Sequence, residues 1–142
     1  MNKLCILILL VACPMCFCDG LYTGNGYYLR AEYGGGDKVN AKAKKKGEWE
    51  DWKLVSLGNN WYAIRSVGGY YLRAKNNGGG KVDALSRKIG KSEKWKRESV
   101  GDGYFTFKTS DGYYLRAKNN GGGRTDARTK KVGDWEKWKV IK

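Results

Sequence analysis

Gly26-Tyr27-Tyr28-Leu29-Arg30-Ala31 returns as Gly69-Tyr70-Tyr71-Leu72-Arg73-Ala74 and again as Gly112-Tyr113-Tyr114-Leu115-Arg116-Ala117. Each step is 43 residues. The same offset relates Val39-Asn40-Ala41 to Val82-Asp83-Ala84 and to Thr125-Asp126-Ala127. It also relates Trp52, Trp95 and Trp138, and Leu21, Ile64 and Phe107. No gap is needed, so three copies of one unit account for residues 19–142. Self-similarity at a fixed period marks a repeated supersecondary unit that buries its apolar face against its neighbours.

Each copy reads as four short strands. The first is Trp61-Tyr62-Ala63-Ile64, matched by Tyr104-Phe105-Thr106-Phe107 and the stub Leu21-Tyr22. The second is the Tyr-Tyr-Leu-Arg-Ala segment, the third Lys38-Val39-Asn40-Ala41, and the fourth Trp52-Lys53-Leu54-Val55, each with its equivalents. Aromatic and branched residues alternating with period two support strands. Asn76-Asn77-Gly78-Gly79-Gly80 and Asn119-Asn120-Gly121-Gly122-Gly123 tolerate positive φ and predict hairpin loops between the second and third strands. The predicted fold is all-β: a β-trefoil of twelve strands in three repeats of 43 residues. Six strands would form a barrel and three hairpins would close one end, with the two chain ends pairing so that no edge stays open.

Residues 1–18 are of different material. Asn2 and Lys3 precede an apolar run, and Cys16 and Cys18 are small enough for the −3 and −1 positions of a cleavage site. This predicts a secretory signal peptide cleaved after Cys18. Leu10-Val11-Ala12-Cys13 also has the spacing of a lipobox, which would make Cys13 a lipid anchor. All four Cys lie in this segment, so the remaining domain, residues 19–142, would have neither disulfides nor thiol chemistry. The expectation is a secreted, monomeric, single-domain protein with no transmembrane segment once the signal is removed.

The stretch Tyr28-Leu29-Arg30-Ala31-Glu32, then Gly36, Lys38-Val39-Asn40-Ala41, a Lys-rich loop and Trp52-Lys53-Leu54 resembles a fascin-like repeat. The resemblance covers the whole of residues 19–142. It implies a β-trefoil, and it implies actin as a partner, since the best-known fascins are cytosolic actin bundlers with four trefoils. The fold it implies is also similar to that of the fibroblast growth factors, which are secreted and bind heparan sulfate, and of trefoil lectins.

The chain carries 28 Lys and Arg against 14 Asp and Glu, a net charge of +14. Much of the excess falls in the loops between third and fourth strands. The candidate polyanion-binding residues are Lys42, Lys44, Lys45 and Lys46 in copy one, Arg87 and Lys88 in copy two, and Arg128, Lys130 and Lys131 in copy three. Three basic loops on one small body raise a strong positive field, and a polyanion touching several gains affinity by counterion release. Asn40, Asp83 and Asp126 recur before an alanine and are candidate hydrogen-bond acceptors for a glycan, or else partners of local backbone. Trp49 and Trp135, matched by Ser92 in copy two, are candidate exposed rings beside the basic loops that could bind a glycan, or else a local lid over a loop.

The sequence has no His, which removes Ser-His-Asp and Cys-His catalysis and His-ligated zinc. No paired-acid motif, Walker-type loop or EF-hand pattern is present, so no enzyme activity, cofactor or metal is expected. The expected function is binding of glycans, anionic or neutral, or of other polyanions on a cell surface or matrix through the symmetry-related basic loops, with sulfated or other anionic glycans as the expected partners and no specific nucleic acid. The alternatives are actin binding or crosslinking, and a secreted effector or toxin acting on a cell-surface receptor.

Overall fold

A computed structural model describes residues 19–142. The signal peptide and the lipobox reading lie outside the described residues. Among the described residues there are twelve strands, joined by hairpin turns and by six one-turn 3-10 helices that the sequence reading did not predict.

Six strands close a barrel: β1 (Gly20–Thr23), β4 (Trp52–Gly58), β5 (Trp61–Ser66), β8 (Trp95–Gly101), β9 (Tyr104–Lys108) and β12 (Trp138–Ile141). Hairpins β4–β5 and β8–β9 are joined by β5–β8, β9–β12 and β12–β1. The ring closes where Asp19 and Trp52 exchange backbone hydrogen bonds of 2.8 and 3.2 Å. The pairing of Gly20–Thr23 with Trp138–Ile141 unites the chain ends and leaves no open edge there.

The other six strands form three hairpins: β2 (Tyr28–Ala31) with β3 (Val39–Ala43), β6 (Tyr71–Ala74) with β7 (Gly80–Ser86), and β10 (Tyr114–Ala117) with β11 (Thr125–Thr129). The hairpins bond to one another in a cycle. Gly36 N–H donates to Ala84 O, Gly79 N–H to Ala127 O, and Gly122 N–H to Ala41 O, at 2.7–2.8 Å. The architecture is therefore threefold and β-trefoil-like, with the hairpins as a cap.

The core follows the repeat. Trp52, Trp95 and Trp138 are fully buried, with Leu29, Leu72 and Leu115 and with Leu21, Ile64 and Phe107. Each indole N–H must find an acceptor when buried. It donates to the carbonyl of Leu29, Leu72 or Leu115 at 3.0–3.1 Å, so each ring ties a barrel strand to a cap strand.

The turns also obey the residue types. Asn76, Asn77, Asn119 and Asn120 adopt φ of 56–63°, the left-handed region their short amides tolerate. Gly78, at φ 120°, permits a close approach: a Cβ there would stand 2.3 Å from the Tyr113 ring. Gly35 meets Tyr70 and Gly121 meets Tyr27 in the same way. The first tyrosine of each pair thus docks on the glycine turn of a neighbouring copy, which settles the ring orientation that strand alternation alone leaves open.

Candidate functional site

The three basic loops follow β3, β7 and β11. In each, one cation is held over the docked tyrosine of its own copy. Lys44 Nζ lies 4.8 Å from the centre of the Tyr27 ring, the Arg87 guanidinium 4.0 Å from that of Tyr70, and Lys130 Nζ 4.8 Å from that of Tyr113. Arg87 also donates to the Tyr70 hydroxyl at 2.9 Å. A cation over a ring face is held electrostatically, worth about 0.5–1 kcal/mol where exposed. All three remain exposed, as do their neighbours Lys45, Lys88 and Lys131. Symmetry puts these pairs at one level around the molecule.

Lys46 behaves differently. It is half-buried and ion-paired with Asp51, so its charge is largely met within the protein. Lys42 and Arg128, which occupy equivalent positions, are exposed on β3 and β11, and Arg128 lines a pocket with the Gly78-Gly79 turn on which Tyr113 docks.

The recurring acids are engaged with arginine. Asp83 accepts two hydrogen bonds from Arg73 at 3.0 Å, and Asp126 two from Arg116 at 2.9 Å. Each also accepts a backbone N–H two residues on, from Leu85 and Arg128. Asp126 is 0% exposed. Both carboxylates are thus closed by their own hairpins, the local-backbone alternative with an added ion pair. The pairing holds both Arg73 and Arg116 above the usual guanidinium pKa, chiefly through these hydrogen bonds.

Copy one reaches the same end by another route. Asn40 replaces the aspartate, and its amide donates to Glu32 at 2.6 Å while Arg30 donates to Glu32 at 2.9 Å. Burial works against ionising Glu32, but the hydrogen bonds from Arg30 and Asn40 and nearby positive charge prevail and lower its pKa.

Behind each arginine lies a buried glutamate. Glu50, Glu93 and Glu136 accept the N–H of Gly47, Gly90 and Gly133 at 2.6–2.8 Å, capping a one-turn 3-10 helix. Burial raises the pKa of Glu50 despite that bond.

Trp49 and Trp135 sit in these capped turns. Trp135 is 37% exposed with Arg116 5.9 Å from its ring centre, and Trp49 is half-buried with Arg30 at 5.1 Å. At the equivalent place Ser92 instead accepts the backbone N–H of Asn77.

Two features were not singled out by sequence reasoning. Tyr33 is 72% exposed, at φ 60°, with its ring 5.4 Å from that of Trp49. The signal was available: its equivalents, Asn76 and Asn119, are residues that suit this backbone. The second is Lys38, Lys81 and Arg124, which obey the same offset and come together where the hairpins meet. Among the described residues no helix is long and apolar enough to cross a membrane.

A family model described as a domain of unknown function, DUF7910, matches residues 23–139. No curated protein matches the chain. Among solved structures, the crystal structure of a designed 3-fold symmetric protein, ThreeFoil, is similar with a TM-score of 0.78 at 22% identity. The match covers 87% of this chain and 97% of that one. Likeness at this identity concerns the fold.

Proposed function

The chain belongs to the DUF7910 domain family, and we propose that it is a binding module for sulfated or other anionic glycans of a cell surface or matrix. One observation carries this reading: the same loop in all three copies holds a cation over a tyrosine and leaves a second cation exposed beside it. A polyanion that bridges copies gains from each contact without needing one tight site. The leader read in residues 1–18 supports an extracellular setting, and the lack of His supports binding rather than catalysis. The trefoil-like fold is compatible with all of this without selecting it.

The fascin-like resemblance supports a second reading, in which the basic loops meet the acidic surface of an actin filament. One pair of measurements separates the two. Retention on a heparin column should fall in Lys44→Ser/Lys45→Ser, and the slope of affinity against salt should drop by about one per lost contact. Lys46 is left in place because its charge is used by Asp51. Full retention of the double variant would refute the loop site. Co-sedimentation with actin filaments at low salt, without heparin retention, would favour the second reading.

A further inference from the structure

The three hairpins converge on a cavity of about 320 Å³. Lys38, Lys81 and Arg124 stand in its wall, one from each hairpin, and Lys42 stands beside them. Backbone pairing fixes their carriers: Lys38 lies opposite Asp83, Lys81 opposite Asp126, and Arg124 opposite Asn40. Lys38, Lys81 and Arg124 are therefore carried by paired backbone where the hairpins meet, unlike the cations of the basic loops.

Their charge is not consumed locally. Asp83 and Asp126 are held by Arg73 and Arg116 and do not line the cavity. At the one such position that does line it, copy one carries Asn40 instead of an aspartate. The displaced carboxylate, Glu32, serves Arg30 and also lies outside the lining, although it feels the charge of Lys38. Among the described residues none of the four cations forms an ion pair. Clustering four cations in a concavity has a self-repulsion cost that an anion would relieve. Val39 and Val82, both buried, give the cavity an apolar floor.

We propose that this cavity binds the terminal oxyanion of a sulfate or phosphate monoester carried on a body the size of one sugar ring. Such an ester ends in three equivalent oxygens, and three symmetry-related cations can meet one each through charge-assisted hydrogen bonds. The volume exceeds what a bare oxyanion fills and lies at the small end of ligand pockets, leaving space for the ring over the valines. This is a second site, separate from the loop array and not dependent on it.

Calorimetric titration at low salt with glucose 6-sulfate and glucose 6-phosphate tests it, since neither can span two loops. One equivalent per chain is expected. Lys81→Gln and Arg124→Gln should each weaken binding at least about tenfold, as expected for losing a charge-assisted bond. Both residues are exposed, so an unchanged urea midpoint in the variants shows that the fold is intact. Lys44→Ser/Lys45→Ser should leave ester affinity within about twofold, because it acts on heparin retention alone. The tighter of the two esters identifies the source of the oxyanion. The proposal is overturned by three equivalents per chain, by no binding of either ester, by unchanged affinity in both Lys81→Gln and Arg124→Gln, or by loss of binding in the loop variant. Inorganic sulfate and phosphate binding as tightly as the esters would overturn the role given to the apolar floor.

Discussion

At φ 60° the backbone of Tyr33 lies where a Cβ crowds the following carbonyl, which costs an L-residue about 1–2 kcal/mol. Asparagine reduces that cost, as its use at 76 and 119 reflects. Tyr33→Asn and Tyr33→Ala both lose the ring and its contact with Trp49, so their difference reports the backbone alone. The Asn variant should be the more stable by about 0.5–1 kcal/mol in urea unfolding. A second residue-scale effect concerns pH. Glu32 has a lowered pKa, because the bonds from Arg30 and Asn40 and nearby charge outweigh burial. Its contribution is present above the ordinary glutamate pKa, about 4.3, and is lost as pH falls through the lower folded value. Urea midpoints followed downward from about pH 5 should therefore fall less steeply in Glu32→Gln than in the wild type. Glu50, raised by burial, works in the opposite sense: its contribution is present below that ordinary value and lost as pH rises through its higher folded pKa.

At the scale of the elements, each cap hairpin is a lock between copies. Its glycine turn receives a tyrosine from a neighbouring copy, and its strand supplies the acid or amide that orders the arginine. The turn tolerates no side chain where the ring docks. Gly78→Ala would place a methyl group 2.3 Å from Tyr113 at a φ of 120°. It should cost about 1–3 kcal/mol, since overpacking and a disfavoured φ act together. Gly80, two residues on in the same hairpin, has nothing within 4 Å of its would-be Cβ, and Gly80→Ala should stay within about 0.5 kcal/mol of neutral. Equal urea midpoints for the two variants would show that the turn yields. The basic loops depend on this lock, because Lys44, Arg87 and Lys130 rest on the rings that it orients.

For the whole molecule, stability rests on one core shared by all copies. Trp95 is fully buried and donates to Leu72 O. Trp95→Ala should cost about 3–5 kcal/mol through cavity formation and also leaves that carbonyl without its donor. Trp52→Ala and Trp138→Ala should cost similar amounts, since those rings sit in the same surroundings. All three variants should unfold in one cooperative step by fluorescence and circular dichroism alike, because no copy has a core of its own. Stepwise loss would mean that the copies are semi-independent. The net charge of +14 belongs to this scale too, as a long-range field that draws polyanions towards the surface before any loop or cavity selects among them.

The recurrence of Tyr-Tyr-Leu-Arg-Ala, Val-Asn/Asp-Ala and Trp by itself determined the strands, the hairpin turns, the buried tryptophans and the closure of the chain ends. Those properties depend on residue type and period, and both are written along the chain. The basic loops were legible as well, because charge counts in any conformation. Tertiary structure decided the partners. Arg73 and Arg116 closing on Asp83 and Asp126, Glu32 standing in for an aspartate at 40, Lys46 turning to Asp51 and each tyrosine docking on a neighbouring copy are choices among residues close only after the barrel has closed. The convergence of Lys38, Lys81 and Arg124 has the same origin. Spaced along the chain they are three ordinary surface cations, and they become one cluster only because threefold closure brings symmetry-related positions of three hairpins to a common axis.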